Sequence, residues 1–165
     1  MPLSQPLIAE LEQEASATRR VLERIPEEKL DWRPHPKSWT LGQLALHIAQ
    51  IPDTVSQLAR QNVTTAPSFQ QAPPKSKAEV LKAQDASIER GKAALERWTD
   101  ADMMEEWSLS VNGDTKMALP RLGLLRAIMF NHLYHHRGQL LVYLRLLGEP
   151  VPAVYGVSAD ENPFM

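Results

Sequence analysis

The sequence has no cysteine, which excludes disulfides, cysteine-ligated zinc, iron–sulfur clusters and a thiol nucleophile supplied by the chain itself. Net charge is small: 18 Lys and Arg against 20 Asp and Glu give −2 at pH 7, so no broad basic surface for nucleic acid is expected. The longest apolar run, Leu140 to Leu144, is far shorter than the roughly 20 residues of a membrane span. The first residues lack the basic and apolar regions of a secretory signal. We therefore expect a cytoplasmic protein that binds neither nucleic acid nor membranes.

The remaining composition fits a globular protein: 165 residues, of which 43% are hydrophobic, predict one domain spanning residues 1–165. Apolar residues recur at helical spacing in four segments. The predicted helices run from Pro6 to Ile25, from Thr40 past Leu58, from Ser76 to about Trp98, and from Pro120 to Leu147. The second and third each open on the spacing of a capping box, with Gln43 and Glu79 at the third helical position.

Two connections between these helices are long. The stretch Asn62 to Lys75 contains Pro67 and two further prolines and is typical of a crossover loop. Before the last helix, apolar and polar residues alternate up to Asn112-Gly113, a strong hairpin turn signal. Four amphipathic helices with long connections and a short hairpin before the last helix predict an all-α four-helix bundle.

Histidines stand out on the predicted inward faces of two helices. His132 and His136 are spaced i, i+4, which places both imidazoles on one helix face and within reach of one metal ion. His47 lies at the margin of the apolar face of the second helix. At helical spacing, the inward stripe of the last helix is predicted to contain Leu125, Met129, His132, His136, Gln139, Tyr143 and Leu147.

The residues alone leave two interpretations of the histidines open. They are either ligands of one shared metal ion or core side chains hydrogen-bonded to backbone or water. Some metal sites are excluded: a zincin needs Glu directly after the first His, where Leu133 stands, and a ferritin-like site needs Glu three residues before His, where Leu44 and Met129 stand. A mononuclear site with three neutral nitrogens and an open position, the arrangement of catalytic metal sites, remains.

The positions of several neighbouring residues also predict their roles. Gln139 and Tyr143 are the candidates for contact with a bound water or substrate, and Gln139 is also a candidate for orienting a ligand. His135 is about 100° off the inward stripe, and we expect it to lie outside the ligand set. His35 is expected in a solvated loop. Trp32 and Trp39 are expected either to pack at the end of the bundle or to form the wall of a pocket. Arg137 and Arg145 are expected to form ion pairs.

Three segments resemble the DinB/YfiT-like family of metalloenzymes, and the likeness extends in order over nearly the whole chain. They are LDWRPHPKSWT (30–40), TLGQLALHIAQ (40–50) and NHLYHHRGQLLVYLRLLGEPVP (131–152), of which His132 to Leu140 is the most specific. The resemblance implies a four-helix bundle and a metal held by His47, His132 and His136. It also implies a homodimer, for which Leu133 and Val142 are the candidate exposed apolar contacts.

The same resemblance implies two kinds of activity on a small-molecule substrate. Some relatives are S-transferases or isomerases that depend on a low-molecular-weight thiol, and others are regarded as metal-dependent hydrolases. The metal is one of zinc, nickel, iron and manganese, and three neutral imidazoles would leave its double charge in place to activate thiol or water. The alternative is a non-catalytic bundle that binds a partner or small ligand and uses its histidines structurally.

Overall fold

Four long helical segments make up most of the structure, a computed structural model that describes residues 1–65 and 71–165. The helices are α1 (Ser4–Glu23), α2 (Leu41–Leu58), α3 (Lys77–Arg97), the short α4 (Asp100–Met104), α5 (Arg121–Leu124) and α6 (His132–Leu146). A 3₁₀ turn occupies Glu27–Lys29, and a π-helical stretch, Leu125–Asn131, joins α5 to α6 in one continuous segment. Three short strands are β1 (Val63–Thr65), β2 (Glu106–Val111) and β3 (Asp114–Pro120). The predicted all-α four-helix bundle is confirmed, with a minor sheet added.

Local sequence signals explain where the helices begin. The Thr40 hydroxyl accepts from the backbone N–H of Gln43 while the Gln43 side chain accepts from the backbone of Thr40, which completes the predicted capping box. Ser76 caps α3 in the same way, but the Glu79 carboxylate turns instead to the backbone N–H of Lys75. The first helix begins at Ser4, two residues before its predicted start, because a proline is tolerated in the first turn of a helix.

Helices α2 and α3 approach closely at Pro52, which lies inside α2. Gly91 faces it from α3, and a Cβ atom on Gly91 would lie 3.1 Å from the Pro52 Cβ. One residue on, the backbone N–H of Asp53 donates to the Ser87 hydroxyl at 3.0 Å. A glycine opposite the proline therefore allows the close contact of the two helices.

The predicted hairpin before the last helix is confirmed. Strands β2 and β3 pair antiparallel, and the turn residues Asn112 and Gly113 have φ angles of 53° and 86°, as a tight primed turn requires. The sequence did not reveal the third strand: β1 pairs parallel with β2, with Thr64 opposite Leu109. The first part of the predicted crossover loop is thus a strand, and Pro67 lies outside the described residues.

The π-helical stretch shifts the phase of everything that follows it in the last segment. A π-turn holds an extra residue compared with an α-turn, so a stripe counted at 3.6 residues per turn goes out of register beyond it. The buried positions of α6 are therefore each one residue later than the predicted ones: Leu133, Arg137, Leu140 and Leu144. The prediction that His132, His136, Gln139 and Tyr143 lie on the buried face is wrong for this reason.

None of the described helices is long and apolar enough to cross a membrane.

Candidate metal centre

The three predicted histidines come together at the boundary between α2 and α6. His47 is 8% exposed, whereas His132 and His136, one turn apart at the start of α6, are half-buried. The Nε2 atoms of His47 and His132 are 3.1 Å apart, and one nitrogen from each of the three rings lies within 4.8 Å of the others. Among the residues that the structure describes, this is the one group of three potential ligand side chains with such spacing.

The shifted phase of α6 makes this geometry possible. Because the π-helical stretch brings Leu133 and Arg137 to the core, the histidines that precede them stand at the edge of the bundle instead of inside it. At that edge they face His47 and keep access to solvent. An open coordination position needs such access, which the fully inward placement predicted from the sequence would have denied.

Burial keeps the histidines neutral. Desolvation, followed by the neighbouring His136 and His132 rings, lowers the pKa of His47 to about 4. Desolvation also lowers the pKa of His132, with His136 and His135 adding to the effect. The pKa of His136 is lowered by desolvation, against which its contact with Gln139 acts. At neutral pH all three rings are therefore uncharged, the form in which imidazole binds metal.

The donor set fits one divalent transition-metal ion. Two nitrogens bound to a tetrahedral ion at 2.0–2.1 Å would be separated by about 3.3 Å, close to the 3.1 Å between His47 and His132. Two neutral imidazoles at that separation share a single proton between their Nε2 atoms, whereas a cation accepts both lone pairs. The site can hold a metal, and its identity among zinc, nickel, iron and manganese is left open by three imidazoles.

Gln139 lies on the exposed side of α6, not in the core as predicted, yet it contacts a candidate ligand. Its Oε1 atom is 2.8 Å from Nδ1 of His136. This is the arrangement in which an outer side chain orients a metal-binding imidazole. Tyr143, the other candidate for contact with water or substrate, is half-buried, and its hydroxyl donates to the backbone carbonyl of Trp39 at 3.3 Å.

Trp39 is the aromatic wall of the cluster. Its ring lies edge-on against His47, with centroids 4.8 Å apart, and stacks on His136 at 6.0 Å. Trp32 instead packs on Tyr143, with centroids 5.6 Å apart. Of the two tryptophans in the loop before α2, one therefore packs on the histidines and the other supports the Tyr143 ring.

Two other histidines stay outside the cluster, as predicted. His135 is exposed, and its ring lies 4.9 Å from that of His136 without joining the group of three. His35 is exposed in the loop before α2, where its Nδ1 accepts from the backbone N–H of Lys37.

Arg137 forms an ion pair as expected, but it does so within the core. It is 1% exposed, and its Nη1 atom lies 2.7 Å from Oε2 of Glu14 in α1. It also donates to the hydroxyls of Thr18 and Tyr155, so α1, α6 and the C-terminal tail meet at one guanidinium. The signal was present in α1, because Glu14 falls at helical spacing between the buried Leu11 and Thr18. Arg145 does form a surface ion pair, with Asp160.

The same phase shift moves one of the two expected homodimer contacts into the core. Leu133 is 3% exposed and belongs to the core, whereas Val142 is 57% exposed. The homodimer itself stays a prediction, now with Val142 as its remaining apolar candidate.

Two recesses open at the histidine cluster. The first, with a cavity volume of about 60 Å³, is bordered by His47 and His132 together with apolar side chains of α2. The second, of about 270 Å³, is wider and is bordered by Trp39, His136, Gln139 and Tyr143. Neither recess has Asp, Glu or Cys among its described lining residues.

Comparison with known proteins places this bundle in a family. The sequence profile of the DinB family matches residues 1–162. The chain belongs to the DinB family. It is 30% identical over 153 residues to the Bacillus subtilis protein YrdA, covering 90% of this chain and 85% of that protein.

Solved structures show the same fold. A DinB-like protein from Bacillus cereus has a TM-score of 0.70 at 23% identity, covering 93% of this chain and 98% of that one. The DinB-like protein YjoA from Bacillus subtilis also has a TM-score of 0.70, at 20% identity, covering 91% and 97%. Together with the family profile, these structures confirm the resemblance seen in the sequence.

Proposed function

We propose that this protein is a metal-dependent enzyme that transfers a low-molecular-weight thiol to a small electrophilic substrate. The observation that carries the proposal is the convergence of three neutral imidazoles at two recesses whose described linings contain no carboxylate and no thiol. Neither a carboxylate general base nor a cysteine nucleophile is among these described lining groups. An external nucleophile is therefore the simplest partner for the site.

A bound divalent ion would act as a Lewis acid that lowers the pKa of a coordinated thiol or water. His47, His132 and His136 would hold that ion. In the overall reaction, a carbon–sulfur bond forms between thiol and electrophile while the bond to the leaving group breaks. The thiol proton passes to the leaving group, which departs or, in an epoxide, stays attached to the product as a hydroxyl, so no oxidant or reductant is required.

The chain's own side chains would position the reactants. Gln139 holds the His136 ring through Nδ1, and Trp39 fixes the rings of His47 and His136 from the side. The hydroxyl of Tyr143 ties the loop that carries Trp39 to α6. The wider recess on the His136 side leaves room for the bulkier parts of the reactants.

The first test measures metal content by elemental analysis of protein purified without chelators. We expect one metal per chain, reduced sharply in His47→Ala, His132→Ala and His136→Ala. His135→Ala is the matched control, because it removes an exposed imidazole next to His136 and should retain the metal. A protein without stoichiometric metal, whose His132→Ala variant keeps its melting temperature, would favour the non-catalytic bundle with structural histidines.

The second test measures the reaction. Metal-loaded protein is supplied with a low-molecular-weight thiol and an epoxide or a chloronitrobenzene, and the thioether product is quantified. We expect faster product formation than with His132→Ala. Thiol consumption no faster than with that variant, across several thiols, together with measurable ester or amide hydrolysis, would identify a hydrolase instead.

A further inference from the structure

The smaller recess has an apolar interior directly beside the histidine nitrogens. It borders His47 and His132, whose Nε2 atoms are the close pair of the cluster. Its apolar lining is formed by the buried Ile51 and Val55 and the half-buried Leu58 and Ile128. A group that enters from the metal site therefore meets aliphatic side chains of α2 and of the π-helical stretch.

The polar side chains of this recess are neutral. Gln50 and Gln71 are half-buried, and the amide nitrogen of Gln71 donates to the amide oxygen of Gln50 at 3.3 Å. Thr54 is exposed at the border. No charged side chain occurs among the described lining residues. A carboxylate or ammonium group would lose its hydration here without gaining a counter-charge, so the recess favours an uncharged occupant.

The size of the recess limits the shape of that occupant. Its volume of about 60 Å³ is less than half of the roughly 150 Å³ of an engineered apolar cavity that binds benzene. A narrow aliphatic chain fits in such a space, whereas a six-membered ring does not. The wider recess on the other side of the cluster, at about 270 Å³, leaves room for the rest of the molecule.

We propose that the substrate carries a short, unbranched aliphatic group next to its reacting atom, and that this group occupies the recess between α2 and the π-helical stretch. The inference rests on the proposed function, because it requires a reacting atom at the three histidines. It adds the substrate class: electrophiles with a small, uncharged aliphatic group at this position are preferred over those with an aromatic or charged group there.

The test uses straight-chain alkanethiols as probes anchored at the metal. Cobalt(II)-loaded protein is titrated with thiols from ethanethiol to hexanethiol and with cyclohexanethiol, and binding is followed by the sulfur-to-cobalt absorption band. These thiols have nearly equal acidity, so differences in affinity report burial of the alkyl group. We expect an increase of about fourfold for each added methylene until the recess is full, and weak binding of cyclohexanethiol.

Two variants should move the preferred chain length in opposite directions. Thr54→Leu adds aliphatic volume at the border of the recess and should favour shorter thiols. Ile128→Ala removes volume from the lining and should favour longer ones or admit cyclohexanethiol. Val142→Ala, on the exposed face of α6, is the matched control and should leave the series unchanged. Circular dichroism and cobalt content verify that each variant folds and loads; Leu58→Ala replaces Ile128→Ala if the latter fails to fold.

The outcomes separate this inference from the proposed function. If ethanethiol and azide both leave the cobalt spectrum unchanged, the open metal position is absent and both proposals are overturned. If ethanethiol binds but affinity does not depend on chain length, or cyclohexanethiol binds as tightly as butanethiol, only the aliphatic recess is overturned. The same holds if neither variant moves the preferred length.

Discussion

Nδ1 of His136 donates a hydrogen bond to Oε1 of Gln139, at a donor–acceptor distance of 2.8 Å. An amide oxygen only accepts, so the proton of this imidazole is on Nδ1 and the lone pair is on Nε2. The contact therefore selects both the tautomer and the orientation of the ring. Metal-binding histidines are commonly held in this way.

Replacing Gln139 with Leu should weaken metal binding without removing a ligand. The loss of an acceptor for Nδ1–H frees the His136 ring, and we expect zinc affinity to fall by about 10–100-fold. Competition titration against a chromogenic chelator measures the change. Gln139→Glu keeps an acceptor and should retain affinity, and Gln13→Leu on the exposed face of α1 is the control. An unchanged affinity in Gln139→Leu would assign this side chain no role in orienting the ligand.

Breaking the buried pair of Arg137 and Glu14 should destabilise the bundle strongly. In Arg137→Met the Glu14 carboxylate stays buried without its cation, and such losses cost about 3–5 kcal/mol in the free energy of unfolding. Urea denaturation measures it. Arg145→Ala removes an exposed ion pair from the same helix and should cost only about 0–1 kcal/mol.

A double variant tests the reason for that loss. In Arg137→Met with Glu14→Leu no unpaired charge remains, and we expect part of the stability to return. A double variant less stable than Arg137→Met would show that the hydrogen bond from the Tyr155 hydroxyl to Glu14 contributes more to stability than the unpaired carboxylate costs.

Much of the bundle could be predicted because its signals are local. The Thr40 cap, the Asn112-Gly113 turn and the helical spacing of apolar residues act within a few positions, and the structure has them where expected. The three histidines could be predicted for a related reason: two of them lie one turn apart on one helix, and the third lies at the margin of the apolar face of another.

The features that the sequence did not predict are not marked by any local pattern of residues. Nothing in the composition of Leu125–Asn131 marks a π-helical stretch, yet it shifts the buried face of α6 by one residue and moves Leu133 and Arg137 inward. The pairing of β1 with β2 joins residues more than forty positions apart, as in Thr64 opposite Leu109. The recess beside His47 likewise depends on how α2 packs against another element, which periodicity along one helix does not encode.

Alanine substitutions at two helical glycines, Gly91 and Gly138, should change stability in opposite directions, because only Gly91 faces a neighbouring helix closely. Gly91→Ala places a methyl group 3.1 Å from the Pro52 Cβ, so α2 and α3 must separate, at a cost of about 1–3 kcal/mol. Gly138→Ala adds a methyl group to α6 with no atom within 4 Å and should stabilise the protein by about 1 kcal/mol. Thermal unfolding of both variants checks the pair. A destabilised Gly138→Ala would mean that a further contact, such as a second copy of the chain, covers that face.

Metal binding should raise the free energy of unfolding, because a ligand that binds only the folded chain shifts the folding equilibrium toward that state by mass action. At free zinc one hundred times its dissociation constant, we expect a gain of about 2.7 kcal/mol, reversed by chelator. Chemical denaturation with and without zinc measures the gain. His47→Ala, His132→Ala and His136→Ala should each lose it, while His135→Ala should keep it, since that ring is exposed and outside the group of three. A gain that persists in the first three variants would locate the bound zinc elsewhere on the chain, and a gain lost only in His135→Ala would exchange the roles of the two adjacent histidines.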